Sequence, residues 1–135
     1  MRLTGIVITA ALLLVGCASS QEMGENPLTG TTWIAESIGG QATLPDQTAS
    51  LTFESAVSVS GDTGCNSFLG SAQVDGFGLR FGRLVSTRMA CSGAAGEQEA
   101  LYLALLQKVG AYREEGGDLL LLAEDGRTLV RLRRL

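Results

Sequence analysis

The 135-residue chain contains no histidine, and that absence removes much of enzymology. Imidazole is the side chain that moves protons near neutral pH, so neither a Ser-His-Asp nor a Cys-His constellation can be assembled, and zinc sites built on histidine are excluded with them. Cysteine is scarce, with 3 residues, and no two stand in a CxxC arrangement. The glycines of "SGDTGCNSFLG" at 60–70 are not followed by the lysine and serine or threonine of a phosphate-binding loop, which counts against that reading. An excess of basic charge is also missing. With 10 Lys and Arg against 14 Asp and Glu, the net charge of −4 offers no footprint for nucleic acid and does not favour docking on anionic lipid. Nor is there a long apolar run: the stretch from Gly5 to Gly16 falls short of the roughly 20 residues that span a bilayer as a helix.

That short run follows Arg2 and fits the apolar centre of a secretory signal. Its end, Leu14-Val15-Gly16-Cys17, resembles the bacterial lipobox, in which cleavage before the cysteine frees an amine and the thiol carries a diacylglycerol. Residues 1–16 are then a lipoprotein signal peptide and Cys17 is the lipidated, palmitate-bearing first residue. An ordinary signal cut nearby, or a retained anchor helix, are the alternatives. Ala18, Ser19 and Ser20, with no aspartate directly after the cysteine, resemble the pattern sent to the outer membrane, facing the periplasm. Residues 17–28 read as the lipidated N-terminus and a polar tether of about 10 residues. Residues 29–135 have the size of one domain. The acyl chains would do the anchoring.

With Cys17 assigned to lipid, an exported chain in an oxidising compartment leaves Cys65 and Cys91 as the possible pair, and one disulfide is predicted. Closing that loop removes on the order of 3 kcal/mol of unfolded-chain freedom. A redox thiol pair or a metal site is the alternative, but neither a metal-ligand set nor a cofactor motif accompanies the two cysteines. Asp62, Glu97 and Glu99 would be the carboxylates for acid–base chemistry if they met in space. The acids of "EQEAL" are expected instead in the first turn of a helix, where they favour the positive end of its dipole.

The pattern along the chain is mostly that of short strands. Thr31 to Ile38 is β-prone around the one indole, Trp33. Leu51, Phe53, Val57 and Val59 share a parity that places them on one inner face, as a bulged strand or a pair of strands. Phe68, Ala72 and Val74 form another strand, Asp75-Gly76 is a turn, and Leu79, Phe81 and the segment Leu84 to Arg88 continue the ribbon. The period then changes: in "EQEALYLALLQKV" a stripe of Leu101, Tyr102, Leu105, Leu106 and Val109 predicts a helix stopped by Gly110. Strand patterns return at Ala111 to Glu114, Leu119 to Leu122 and Thr128 to Leu132, separated by Gly116-Gly117-Asp118 and Asp125-Gly126. The fold class is α+β: a curved antiparallel sheet or small barrel of about seven to eight strands packed on one α-helix. A core filled with side chains is expected over a lipid-binding cavity. The arginines of "GRTLVRLRRL" are expected on a solvated strand face.

The segments "GCNSFLG", "LRFGRLVSTRMAC", "EQEALYLALLQKVGAY" and "GGDLLLLAEDGRTLVRL", in that order, resemble the META-domain (HslJ-like) family over about Thr29 to Leu135. The family's motif positions fall on Gly64, Cys65, Asn66, Gly70, Thr87, Met89, Ala90 and Cys91. The resemblance implies a small envelope or secreted protein, in some cases linked to heat stress or antibiotic tolerance, with no general enzymatic activity. Its fold looks like that of pilot lipoproteins that escort secretin subunits, which does not fix function. Asn66 is expected to hold a turn by bonding nearby backbone, and Gly64 and Gly70 to permit tight or bulged backbone. Thr87 and Arg88 are the candidate surface contacts. The expected protein is therefore a noncatalytic, monomeric envelope lipoprotein that uses no cofactor, binds an unidentified envelope protein and supports envelope integrity under stress. The alternatives are a carrier or pilot-like chaperone for lipid or an apolar peptide, and a thiol redox protein using Cys65 and Cys91.

Overall fold

Alternation of apolar and polar side chains along the extended segments is converted by the fold into a ring of antiparallel strands. The computed structural model describes Gly16 and residues 25–135; Cys17, the rest of the signal-like segment and the first part of the expected tether lie outside the described residues. The strands are β1 (Thr32–Ile38), β2 (Gln41–Ala42), β3 (Ala49–Phe53), β4 (Ser58–Thr63), β5 (Ser67–Asp75) and β6 (Gly78–Ser86). The single helix α1 (Gly93–Leu106) follows, and then β7 (Ala111–Glu115), β8 (Asp118–Leu122) and β9 (Thr128–Arg134). The hydrogen-bonded order is β2-β1-β3-β4-β5-β6-β7-β8-β9, and β9 returns to pair with β1, which closes the ring. That closure runs from Trp33 opposite Arg134 to Ile38 opposite Val130. The ring is thinnest between β6 and β7, which share the single register pair Gly78 and Ala111.

The 9-stranded sheet exceeds the expected count because a two-residue hairpin arm, β2, attaches to β1; of the two readings of the 51–59 segment, the pair of strands is the one the structure has. The break between β3 and β4 also moves Val57. Expected on the inner face, it sits in the bend joining the strands and is 63% exposed, because the turn resets the alternation that Leu51, Phe53 and Val59 obey.

The inner face is filled. Trp33, Leu51, Phe53, Val59, Leu79, Leu119, Leu121, Val130 and Leu132 are buried together, and Tyr102, Leu105 and Leu106 of α1 pack into the same cluster. Burying each such side chain contributes about 1.5–3 kcal/mol relative to leaving it in water. The indole of Trp33 donates to Thr31 Oγ1 at 2.7 Å, and that hydroxyl donates to Leu28 O, so the large ring is buried without an orphaned N–H. Leu28 is itself in the core, and Asn26 is buried with Nδ2 donating to Ala56 O at 3.3 Å. The tether boundary expected at residue 28 is therefore too late, because the segment around "NPL" already packs on the β3–β4 bend.

The helix departs from expectation at both ends. It begins at Gly93 with Ser92 before it, so its first turn is "GAAG" and contains no acid. Glu97 and Glu99 do not serve the helix dipole as expected, since they lie a turn further in. At the other end the helix closes at Leu106, where Lys108 N bonds Leu105 O and Val109 N bonds Leu106 O, so Gly110 is not the stop. Val109 remains buried, but from the turn that leads into β7. The arginines near the C-terminus line a solvated face: Arg131 pairs with Asp118 at 2.8 Å and Arg134 lies over the Trp33 ring at 5.6 Å.

Gly61 is a position where close approach demands glycine, because a Cβ there would strike the Phe68 ring and Ser50 O. We expect Gly61→Ala to lower unfolding stability by about 1–3 kcal/mol, through overpacking, with the midpoint of urea denaturation as the measurement.

Candidate functional site

The turn joining β4 to β5 is built by its own side chains. Asp62 Oδ1 accepts from Gly64 N at 2.7 Å, and Thr63 Oγ1 accepts from Asn66 N at 2.9 Å. Gly64 takes φ 96°, a left-handed conformation, with its α-carbon face pressed on the backbone of Gln47, so a side chain there meets both strain and atoms. The result aims the side chain of Asn66 inward, where it is 4% exposed. Asn66 itself does not adopt a left-handed conformation, since among the described residues only glycines have positive φ.

Asn66 holds the site together. Its Oδ1 accepts from Met89 N at 2.8 Å and from Thr87 Oγ1 at 2.9 Å. Its Nδ2 donates to Glu99 Oε1 at 2.8 Å and to Met89 O at 3.1 Å. One primary amide thus ties the β4–β5 turn to the "TRMAC" segment after β6 and to the second turn of α1, with every donor and acceptor of the group used. The Cys65–Cys91 disulfide crosses the same junction, with Cα atoms 6.2 Å apart, joining that turn to the entry of α1. Thr63 Oγ1 lies 3.1 Å from both Glu99 Oε1 and Asn66 O, either of which can take its one proton.

A second polar tie lies one helical residue away. Buried Gln98 donates through Nε2 to Gln47 O at 2.8 Å and accepts at Oε1 from Leu44 N at 2.8 Å, which fixes the β2–β3 connection against α1. Below it, the hydroxyl of Tyr102 donates to Ser50 O at 2.9 Å, and its ring meets Phe68 edge to face at 5.9 Å. Burial, with the charge of Asp62 adding to it, pushes this hydroxyl well above the ordinary phenol range, so it remains a neutral donor.

The arrangement brings together Cys65, Asn66, Thr87, Met89 and Cys91, but for internal bonding. Thr87, expected as a partner contact, turns its hydroxyl toward Asn66 and takes the Ser67 N–H at 3.1 Å, because the chain leaving β6 must be held down there. Arg88 and Ala90 remain exposed. Gly70 lies apart, at a register shift in the β5–β6 pairing where a Cβ would strike Arg83 O and Leu84. Asp62, Glu97 and Glu99 are not joined as an acid–base pair: Asp62 bonds the turn, Glu97 is exposed and Glu99 is held by Asn66. Cys65, Cys91 and Glu99 offer ligand-type atoms within 4.8 Å of one another, but sulfurs joined in a disulfide are not the thiolates that bind metal or attack a substrate.

Sequence reasoning missed Thr63 and Gln98, and it named Glu99 for acid–base chemistry or the helix dipole rather than for its bond with Asn66. Two signals for the missed pair exist. Thr63 continues the inward parity of Val59 and Gly61, and Gln98 lies one helical turn before Tyr102 on the buried stripe.

The META-domain family model matches residues 26–134, a range that includes this turn, the segment after β6 and the helix that follows. The chain belongs to the META-domain family. No curated protein matches it. Among solved structures, the META domain is similar to a protein from Burkholderia xenovorans determined by NMR, with 23% identity, a TM-score of 0.63 and coverage of 100% of this chain and 99% of that one. It is also similar to a crystal structure of a DUF4847 family protein from Bacteroides vulgatus, with 15% identity, a TM-score of 0.57 and coverage of 79% and 94%. At these identities the likeness is one of fold.

Two outcomes check the junction. Asn66→Asp removes two donors and sets a carboxylate beside Glu99, at a cost of at least about 2 kcal/mol near neutral pH. Repulsion raises the folded-state pKa of the new carboxyl, so the penalty is full above that value and shrinks as pH falls toward the ordinary carboxylate range; a pH-independent difference in denaturation midpoint would contradict this geometry. Replacing both Cys65 and Cys91 by serine should remove about 3 kcal/mol while leaving the far-UV spectrum unchanged.

Proposed function

We propose that the protein is a noncatalytic envelope lipoprotein whose META domain binds a protein partner and thereby supports envelope integrity under stress. Acyl groups on Cys17 hold it at the outer membrane, facing the periplasm, and the free domain is a monomer. The lipobox-like Leu14-Val15-Gly16-Cys17 supports the anchor.

The observation that carries partner binding is the outward face of β5 and β6. Leu69 and Val85 stand opposite each other in the pairing, 64% and 53% exposed, and Met89 beyond β6 is 67% exposed. Covering what remains exposed of these three side chains would contribute about 1–2 kcal/mol each, before the cost of association. The filled ring supports partner binding over carriage of a lipid in its interior, and a cluster whose polar atoms are spent on internal bonds supports a structural motif over a catalytic one.

A photocrosslinking residue placed in cells at Leu69 or at Met89 should give the same covalent adduct, and one at the exposed Glu114 should not. Adducts absent from both positions, with and without envelope stress, would count against the reading. Separately, Cys17→Ser should abolish palmitate labelling and move the protein from the membrane pellet to the soluble fraction.

A further inference from the structure

The ring has an open seam. β6 pairs with β5 along its length, but with β7 only through Gly78 opposite Ala111. From Arg80 to Ser86 no strand covers its other edge among the described residues, and the bond recorded there is from a side chain, Gln107 Nε2 to Gly82 O at 3.1 Å. An uncovered strand edge offers main-chain donors and acceptors to any extended segment laid beside it. This stretch is roughly 20 Å long at about 3.3 Å per residue.

Beside the edge lies a groove of about 450 Å³ lined by Phe81, Gly82, Arg83, Leu84, Leu103 and Gln107. Its floor is apolar, since Leu84 of β6 and Leu103 of α1 are half-buried and pack against the core. Its charge is basic. Arg83 lines it, Lys108 follows Gln107 on the helix side and Arg88 lies past the end of the strand; none of the three forms an ion pair among the described residues, whereas Arg80 is paired with Glu124. In a chain of net charge −4, a groove whose one charged lining residue is the unpaired Arg83, with Arg88 and Lys108 close by in sequence, favours an acidic occupant. They also disfavour a second copy, because antiparallel pairing of two β6 edges brings arginines of like charge together.

We propose that the open edge of β6 takes an extended acidic peptide segment of the partner as an added strand. Main-chain bonds to residues 80–86 supply affinity, apolar side chains at alternate positions reach Leu84 and Leu103, and carboxylates meet Arg83, Arg88 and Lys108. The inference rests on the partner-binding reading above and specifies its mode.

The test is selection of a displayed library of random nine-residue peptides on the full-length protein in mild detergent. Enriched peptides should alternate apolar residues and carry acids. The best of them, made synthetically, should shift amide resonances of residues 80–86, lose at least tenfold in affinity to the variant Arg83→Glu/Arg88→Glu, and lose at least tenfold when alternate peptide amides are N-methylated, which removes donors without touching the protein. Retention of the thermal midpoint by the variant separates lost binding from lost fold. No enrichment, resonance shifts confined to other surfaces, indifference to N-methylation in both registers, or sedimentation showing β6-dependent dimers would each overturn the proposal. If crosslinking at Leu69 and Met89 still captures one protein in that event, partner binding stands and the added-strand mode alone fails.

Discussion

The side-chain amide of Asn66 is the bond on which the arrangement of this domain turns. Four contacts converge on it from two other parts of the chain, all made to an amide that is itself buried, where an unpaired donor or acceptor is costly. Helix α1 arrives from β6 through a connection without regular structure, so nothing in the sheet ladder specifies where its first turns sit. Asn66 specifies it by holding Met89 and Glu99, and the Cys65–Cys91 bridge holds the same junction covalently. Once those turns are placed, Tyr102, Leu105 and Leu106 fall on the inner face of the ring, and the core closes.

The consequence for function is a division of the surface. The motif residues are mostly consumed in joining turn, segment and helix, so the most distinctive part of the sequence is an internal fastening. What remains available is its outer margin: the apolar residues of β5 and β6, Arg88, and the uncovered side of β6. The same geometry explains the seam. Because the chain passes from β6 into α1 and returns to the sheet only at β7, the two strands pair at one end alone, and along the rest of that edge Gln107, just past the helix, bonds Gly82 O through its side chain.

Much of this was legible in the residues. The period-2 alternation from Leu51 to Phe81, the turn pairs Asp75-Gly76 and Asp125-Gly126, and the helical stripe around Tyr102 give strands, hairpins and one helix in the right order. With Cys17 read as the lipid-bearing residue, Cys65 and Cys91 remain as the pair, and they form the bridge. Boundaries were less legible. Val57 keeps the parity of its neighbours but not their burial, because parity resets at a bend. The glycines of the "GAAG" turn lower its helical propensity, and Gly96 sits where a Cβ would strike Cys91 O, a close approach that no local pattern announces.

The sequence by itself determined which residues are apolar, at what period, where backbone can turn tightly, and that no histidine is present for proton transfer; these are local properties, set by side-chain chemistry within a few residues. Only the tertiary structure decided that Asn66 meets Glu99 across 33 positions, that the Thr87 hydroxyl bonds Asn66, and that β6 is left open along one edge. Those facts depend on how distant segments meet, and a polar side chain carries no local sign of which distant partner will use its hydrogen bonds.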